Sequence, residues 1–205
     1  LSKFSSTAPN SAPGVDAIEI IDGSPRGLSQ GRRDRARIVH LATHGLLSRI
    51  APTASAVALS GTGRLDVADL AGLRLDADLV VLSACESGRG DTTLGGDVVG
   101  LARQMFAAGA RSVLVSLWPV DDEVTCLLMD RFHELLAAGA PPAEALAAAQ
   151  RRIRSLDRVA REQAYDALCA AHDVAAAAGG GRRSAAGATG LRTERDWAAF
   201  VLIGS

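Results

Sequence analysis

The sequence predicts an α/β fold, built on a mostly parallel central sheet with helices on both faces. Short apolar runs recur along the chain, segments with helical periodicity separate several of them, and the two kinds of segment alternate. Uninterrupted runs of this length are typical of parallel strands that are buried on both faces. The predicted strands are Ile38–Ala42, Ala56–Leu59, Leu79–Leu82, Val113–Leu117 and Phe200–Ile203.

Three helices are predicted from their apolar faces and end signals. The first runs from Asp97 to Ala108 and stops at Gly109, and the second is capped by Asp121 or Asp122 and closes near Gly139. The third follows Pro141-Pro142 and continues through Ile153.

The chain is expected to form one main domain, residues 37–205. Residues 1–36 are rich in Ser, Pro, Gly and Arg, which predicts a poorly structured or partial N-terminal segment with one edge strand between Val15 and Ile21. Residues 175–193, rich in Ala, Gly and Arg, are expected to form a flexible insertion. The chain begins with Leu1 and not with Met, so we expect a fragment of a longer protein.

Composition argues against several classes of function. The 22 basic and 23 acidic residues give a formal net charge of -1, and 3% of residues are aromatic, so no nucleic-acid partner is expected. No apolar run approaches the roughly 20 residues of a membrane span, and no secretory signal is recognisable, so we expect no membrane partner. Neither of the glycine-rich phosphate-binding motifs follows a strand, which makes a nucleotide-binding domain a weak alternative.

The three cysteines indicate a reducing, cytoplasmic compartment. Cys85, Cys126 and Cys169 form no CxxC pair and no even-numbered framework, which argues against a disulfide scaffold and a cysteine zinc site. We expect Cys126 and Cys169 to be structural, and Trp118 and Trp197 to be packing anchors.

Two residues capable of nucleophilic chemistry follow two of the predicted strands. His44 comes after the run that begins at Ile38, and Cys85 comes after Leu79–Leu82. Reactive side chains gather beyond the carboxyl ends of parallel strands, so neighbouring strands would bring the imidazole and the thiol together. A free cysteine thiol has a pKa of about 8.5 and is mostly protonated at pH 7. An imidazole that accepts its proton converts it to the nucleophilic thiolate. Each residue alone is more often structural, and from spacing both interpretations stay open.

Backbone amides would complete such a site. Gly45 and Cys85 are expected in turns, where their N–H groups could stabilise an oxyanion. A metal site formed by His40, His44 and Cys85 is disfavoured, because strand positions four apart are separated by about 13 Å. No metal or organic cofactor is expected.

Several segments, taken together and in order, resemble the CHAT domain family. They are the strand leading to His44-Gly45, residues 79–88, 107–113 and 116–122, and the terminal residues 197–204. The resemblance implies a caspase-like and separase-like fold and the activity of a cysteine endopeptidase, with His44 as the catalytic histidine and Cys85 as the nucleophile. It also implies a protein or peptide substrate, a bacterial source, and regulation by a sensor or repeat region that lies upstream.

The resemblance also bears on substrate preference. Residues 117–122 are similar to the separase segment beside the pocket for the residue before the scissile bond, where an aspartate receives arginine. Asp122 stands at that place and would favour a basic residue, and Glu86 would line the same cleft. The alternatives are that Asp121 and Asp122 cap a helix and that Glu86 is merely solvated. For the whole domain, the alternative function is a non-catalytic interaction or scaffold module.

Overall fold

The computed structural model describes residues 18–21, 37–41, 45–46, 56–58, 64–66, 75, 77–82, 96–118, 120–172 and 197–204. The strands are β1 (Ile18–Ile21), β2 (Ile38–Leu41), β3 (Gly45–Leu46), β4 (Ala56–Ala58), β5 (Arg64–Asp66), β6 (Leu79–Leu82), β7 (Ser112–Ser116) and β8 (Phe200–Gly204). The helices are α1 (Gly96–Ala107), α2 (Asp122–Ala137), α3 (Pro142–Ser155) and α4 (Arg158–Ala171). The chain divides into two compact units, Leu1–Pro119 with Phe200–Ser205, and Val120–Ala199.

A five-stranded sheet forms the centre of the first unit, in the order β1-β2-β6-β7-β8. The first four strands are parallel, and β8 runs antiparallel to β7. The prediction of an α/β fold with a mostly parallel sheet is confirmed and is consistent with a caspase-like fold. The predicted edge strand is present as β1, which lies at one end of this order among the described residues.

Two of the predicted parallel strands pair differently from the prediction. The segment around Val57 forms β4 in a separate three-stranded antiparallel sheet, in the order β3-β4-β5. Only five residues separate Ala58 from Arg64, which suits a hairpin, since a parallel connection needs about a dozen residues or more. The final run forms β8 in the main sheet but is antiparallel, because an apolar run does not encode the direction of its strand.

The core of the first unit lies between α1 and one face of the sheet. Alternate residues of β2, β6 and β7 contribute to it, together with the apolar face of α1. The buried members of this cluster include Val39, Leu41, Val80, Leu82, Val113, Val115, Leu101, Ala102 and Met105. The residues that point the other way, Leu79, Val81 and Leu114, are buried as well. The central strands are therefore buried on both faces, which is why they read as continuous apolar runs.

Helix α1 ends where the sequence predicts. Gly109 adopts a left-handed conformation with φ 104°, and its N–H donates to the Phe106 carbonyl at 3.0 Å. The next residue, Ala110, donates to the Met105 carbonyl at 3.0 Å. These bonds satisfy the last carbonyls of the helix and turn the chain toward β7.

Three helices form the described part of the second unit. Helix α2 buries the apolar stripe Val124, Leu128, Met129, Phe132 and Leu136, and α3 buries Ala145, Leu146, Ala149 and Ile153. Both start within one residue of the predicted positions. Helix α4 is capped by the Asp157 carboxylate, which accepts from the Ala160 N–H at 2.8 Å. It was not predicted. Among the helices described, none has the length and hydropathy needed to cross a bilayer.

Gly204 is expected to resist substitution. Its φ of 109° disfavours any residue with a Cβ, and a Cβ there would overlap the Arg111 carbonyl oxygen. Gly204→Ala should therefore lower the free energy of unfolding by about 1–3 kcal/mol, measured by urea denaturation. The matched control is Gly100→Ala within α1, where a Cβ meets nothing within 4 Å and helix propensity should add about 0.5–1 kcal/mol. Equal effects of the two substitutions would contradict the structure.

His133 should make the unfolding free energy depend on pH. Burial within α2 lowers the pKa of its imidazole from 6.5 to about 4. Between these values the unfolded chain binds a proton that the folded chain does not, so stability falls as the pH falls from 6.5 to 4. The loss is on the order of 3 kcal/mol. We therefore expect the difference in unfolding free energy between the unchanged protein and His133→Gln, measured by urea denaturation, to shrink by that amount between pH 7 and pH 4. A difference that is constant with pH would contradict the lowered pKa.

Candidate active site

The carboxyl ends of three neighbouring parallel strands define one edge of the main sheet. β6 pairs with β2 on one side and with β7 on the other, in a register that aligns Leu41 with Leu82 and Leu82 with Val115. The condition on which the histidine–cysteine prediction depends, that their two strands are neighbours, is therefore met. In parallel α/β sheets this is the edge at which ligands and reactive groups collect.

His44, Cys85 and Glu86 lie outside the described residues. Their places in the sequence can still be counted from the strands. His44 is the third residue after Leu41, and Cys85 is the third residue after Leu82. Both candidates thus follow a pair of aligned residues by the same number of positions. Their catalytic roles remain predictions.

Gly45 lies in a strand and not in the turn that the sequence predicts. It is the first residue of β3 and is aligned with Val57 of β4. The prediction of a turn is wrong because the chain enters antiparallel pairing one residue after His44. The small sheet therefore fixes the backbone at the residue that follows His44 in the sequence.

Backbone hydrogen bonds set the register at the opposite, amino edge of the sheet. The Arg37 carbonyl accepts from the N–H groups of Asp78 at 2.8 Å and Leu79 at 3.1 Å. On the next strand, Arg111 N–H donates to the Ala77 carbonyl at 2.9 Å and Ser112 N–H donates to the Asp78 carbonyl at 3.1 Å. β2, β6 and β7 are therefore aligned where they begin.

The Asp78 carboxylate also lies between two arginines at this edge. It pairs with the Arg37 guanidinium and, at 3.0 Å, with that of Arg111. Exposed ion pairs contribute little stability, so we attribute the alignment mainly to the backbone bonds. Sequence reasoning missed this arrangement, although the charged residue just before each strand was visible.

Trp118 follows β7 at the carboxyl edge. The Ser116 hydroxyl donates to the Trp118 carbonyl at 2.6 Å and fixes the turn that leaves the strand. The Trp118 side chain is half-buried. In the other unit, the Arg154 guanidinium lies 5.1 Å from the Trp197 ring centroid, a cation–π contact.

The two aspartates before α2 have different environments. Asp121 is the N-cap, and its carboxylate accepts from the Glu123 N–H at 2.9 Å. Asp122 is the first residue of the helix and is exposed. The capping alternative is therefore correct for Asp121, and a role of Asp122 in substrate preference stays a prediction.

The other two cysteines have environments unsuited to nucleophilic chemistry. Burial, and secondarily the Asp122 carboxylate, raises the pKa of the Cys126 thiol to about 11. Cys169 is buried in α4. Partial burial and these two thiols raise the pKa of Tyr165 to about 12. The Cys126 thiol and the Tyr165 hydroxyl therefore favour their neutral forms near pH 7.

No metal site emerges from the part of the chain that is described. Within it, no three histidine, cysteine or acidic side chains approach closely enough to hold an ion. His40, considered above as a metal ligand, lies in β2 and is buried.

A family model for the CHAT domain matches residues 14–205. The chain belongs to the CHAT domain family. This family is associated with caspase-like cysteine peptidases, and the match begins before β1 and continues through β8.

Two mammalian proteins are similar to part of this CHAT domain. Tetratricopeptide repeat protein 28 from Mus musculus is 38% identical over 91 residues, and its counterpart from Homo sapiens is 36% identical over 91 residues. Each alignment covers 44% of this chain and 4% of the relative. The chain therefore spans a small fraction of these relatives' length, and their mammalian origin gives no support to a bacterial source.

The thiol of Cys126 should react slowly with electrophiles. With a pKa of about 11, only about one molecule in 10⁴ is a thiolate at pH 7. In a Cys85→Ala variant, iodoacetamide should label Cys126 and buried Cys169 much more slowly than it labels the same protein in urea, with the label located by peptide mass spectrometry. Labelling of Cys126 in the folded protein as fast as in urea would contradict the assigned environment.

Proposed function

We propose that the CHAT domain is a cysteine endopeptidase that uses His44 and Cys85 to cleave protein substrates. The family supports this, because it is associated with caspase-like cysteine peptidases. The observation that carries the proposal for these two residues is the register of β2 and β6, which aligns Leu41 with Leu82. Since each candidate follows its aligned residue by three positions, a His–Cys pair can form at one edge of the sheet without a change of register.

The proposed reaction has two stages. The His44 imidazole accepts the Cys85 thiol proton while the sulfur attacks the carbonyl carbon of the peptide, and a tetrahedral oxyanion forms. His44 then donates that proton to the leaving nitrogen as the C–N bond breaks, which leaves a thioester. Water, with its proton taken up by His44, attacks the thioester, and the sulfur leaves and regains a proton.

Backbone N–H groups of Gly45 and Cys85 are proposed to stabilise the oxyanion. Removing one such donor typically costs about 2.7–4 kcal/mol of transition-state stabilisation. Gly45 is the first residue of β3, so its backbone is positioned by pairing with β4.

The proposal extends to substrate preference and to regulation. Asp122 and Glu86 are proposed to favour a basic residue before the scissile bond. The relatives are named as tetratricopeptide repeat proteins, which supports the proposal that a repeat region regulates this domain in its full-length protein. The competing function is an interaction module without catalysis.

Cleavage should depend on Cys85 and His44 and not on Cys126. We expect Cys85→Ala and His44→Ala to lower the cleavage rate of a peptide library by about 10³-fold or more, because nucleophile and base act as one unit. Cys126→Ala is the matched control and should cleave at the unchanged rate, since its thiol has a pKa of about 11. Cleavage products are measured by mass spectrometry.

Two outcomes would reject the peptidase. Equal cleavage by the unchanged protein and by Cys85→Ala would assign the activity to another protein. If no peptide is cleaved and iodoacetamide labels Cys85 no faster than Cys126, the thiol is not activated, and the interaction module becomes the better interpretation.

A further inference from the structure

The second unit contains a cavity of about 610 Å³ among its three described helices. Helix α2 packs against both α3 and α4, whereas α3 and α4 contact each other much less. Every described residue that lines the cavity belongs to these helices or to Leu156, which links α3 to α4. Its volume is within the range of about 300–1,000 Å³ that small-molecule sites occupy. The cavity is therefore large enough to hold a ligand, and its described lining comes from the helices and not from the sheet.

Part of the cavity lining is apolar. Leu127 of α2 and Leu168 of α4 are half-buried, so both keep some apolar surface exposed. Ile153 and Leu156 also line the cavity and are buried. A ligand with an apolar body would remove the exposed leucine surface from water, which favours binding.

Charged side chains of opposite sign line the cavity on different helices. Asp130 lies on α2, and Arg151 and Arg152 lie on α3. The two other charged residues that α2 contributes, Arg131 and Glu134, pair with each other at 2.6 Å. Within the described part of the chain, no ion pair includes Asp130, Arg151 or Arg152. One carboxylate and two guanidiniums are thus available to a ligand.

The chemistry of these groups indicates the charges of the ligand. Partial burial raises the pKa of the Asp130 carboxyl, against the opposing effect of the His172 imidazole. A carboxylate that has lost part of its hydration is stabilised by a cation at hydrogen-bonding distance, and an ammonium group provides one. Guanidinium groups bind carboxylates through pairs of parallel N–H bonds. A ligand with one ammonium and one carboxylate would satisfy both helices.

We propose that this cavity binds a small zwitterion with an apolar body, the chemistry of a short apolar peptide with free ends. In this assignment the Asp130 carboxylate accepts from the ammonium group, Arg151 and Arg152 donate to the carboxylate, and the apolar body contacts Leu127 and Leu168. A free apolar amino acid carries the same groups at a shorter separation. The site is independent of the proposed peptidase function, since none of its residues belongs to the candidate active site.

The test measures the binding of leucine, Leu-Leu and Leu-Leu-Leu by isothermal titration calorimetry. A Cys85→Ala protein is used, so that no probe can be cleaved and the result does not depend on the peptidase. We expect saturable binding of at least one probe at a single site, and the tightest of the three reports the length of the zwitterion. Asp130→Asn should weaken it by about tenfold or more, because a charge-assisted hydrogen bond is lost, and the double variant Arg151→Gln with Arg152→Gln should do the same.

Probes with one end blocked assign each charge to its partner. Acetylation removes the ammonium group, so an acetylated probe should bind about tenfold more weakly, and Asp130→Asn should change its affinity by no more than about twofold. Amidation removes the carboxylate, so the double variant of Arg151 and Arg152 should lose its effect on an amidated probe. The blocked probes also test the contacts in a protein whose cavity is unchanged, so the test holds even if a cavity variant does not fold.

Matched controls come from α4. Asp166→Asn and Arg158→Gln remove the same charges from exposed residues that do not line the cavity, and both should bind the probes within about twofold of the parent protein. Ala164→Leu adds volume inside the cavity without changing its charge and should weaken binding by about tenfold or more.

Two results would overturn the proposal. One is the absence of binding by all three probes at concentrations up to about 10 mM. The other is binding that neither blocked ends nor the Asp130 and arginine variants weaken, which would mean that the probes bind elsewhere. Neither result bears on the peptidase, because the protein used in this test lacks the Cys85 thiol.

Discussion

The alignment of β2, β6 and β7 is the constraint on which the candidate site depends. Backbone hydrogen bonds at the amino edge, donated by the N–H groups of Asp78, Leu79, Arg111 and Ser112, set which residues are aligned at the start of each strand. Each strand then advances by the same rise per residue, so its neighbours stay level up to Leu41, Leu82 and Val115. The alignment of the carboxyl ends of these strands is consequently set at the amino edge of the sheet.

Burial on both faces makes this register costly to change. Val39, Val80 and Val113 face the core that the sheet forms with α1. The alternate residues of the same strands point to the opposite face, and they include His40 and Ser112, which are also buried. A slip of one residue would exchange the two sets and turn polar groups toward the apolar core. The sheet therefore has one favourable alignment.

The same burial explains how much of the fold could be predicted. β2, β6 and β7 are predominantly apolar, and their observed bounds lie within one residue of the predicted ones. Strand direction could not be read from such runs, which is why the antiparallel pairing of β4 and β8 was missed. Helix α4 was missed because Cys169 is its one buried residue among those described, so it has no apolar stripe to recognise.

The candidate residues could be named from the sequence, but the register of the strands that precede them could not be predicted. Nothing in the runs ending at Leu41 and Leu82 specifies which residues pair, since the bonds that align them involve Arg37 and Asp78 at the other end of the strands. The turn at Gly45 was mispredicted for a related reason, because β3 exists only through its pairing with β4, a segment about ten residues farther along the chain.

The helical unit offers its own argument about where nucleophilic chemistry can occur. Burial moves the pKa of Cys126 up to about 11 and the pKa of His133 down to about 4, so both are neutral at pH 7. A neutral thiol is a poor nucleophile, and an imidazole with a pKa near 4 is too weak a base to activate one. Burial thus suppresses the nucleophilicity of Cys126 and the basicity of His133. The proposed nucleophile, Cys85, instead follows β6 in the sequence, and the carboxyl end of β6 lies at the edge that parallel sheets use for ligands.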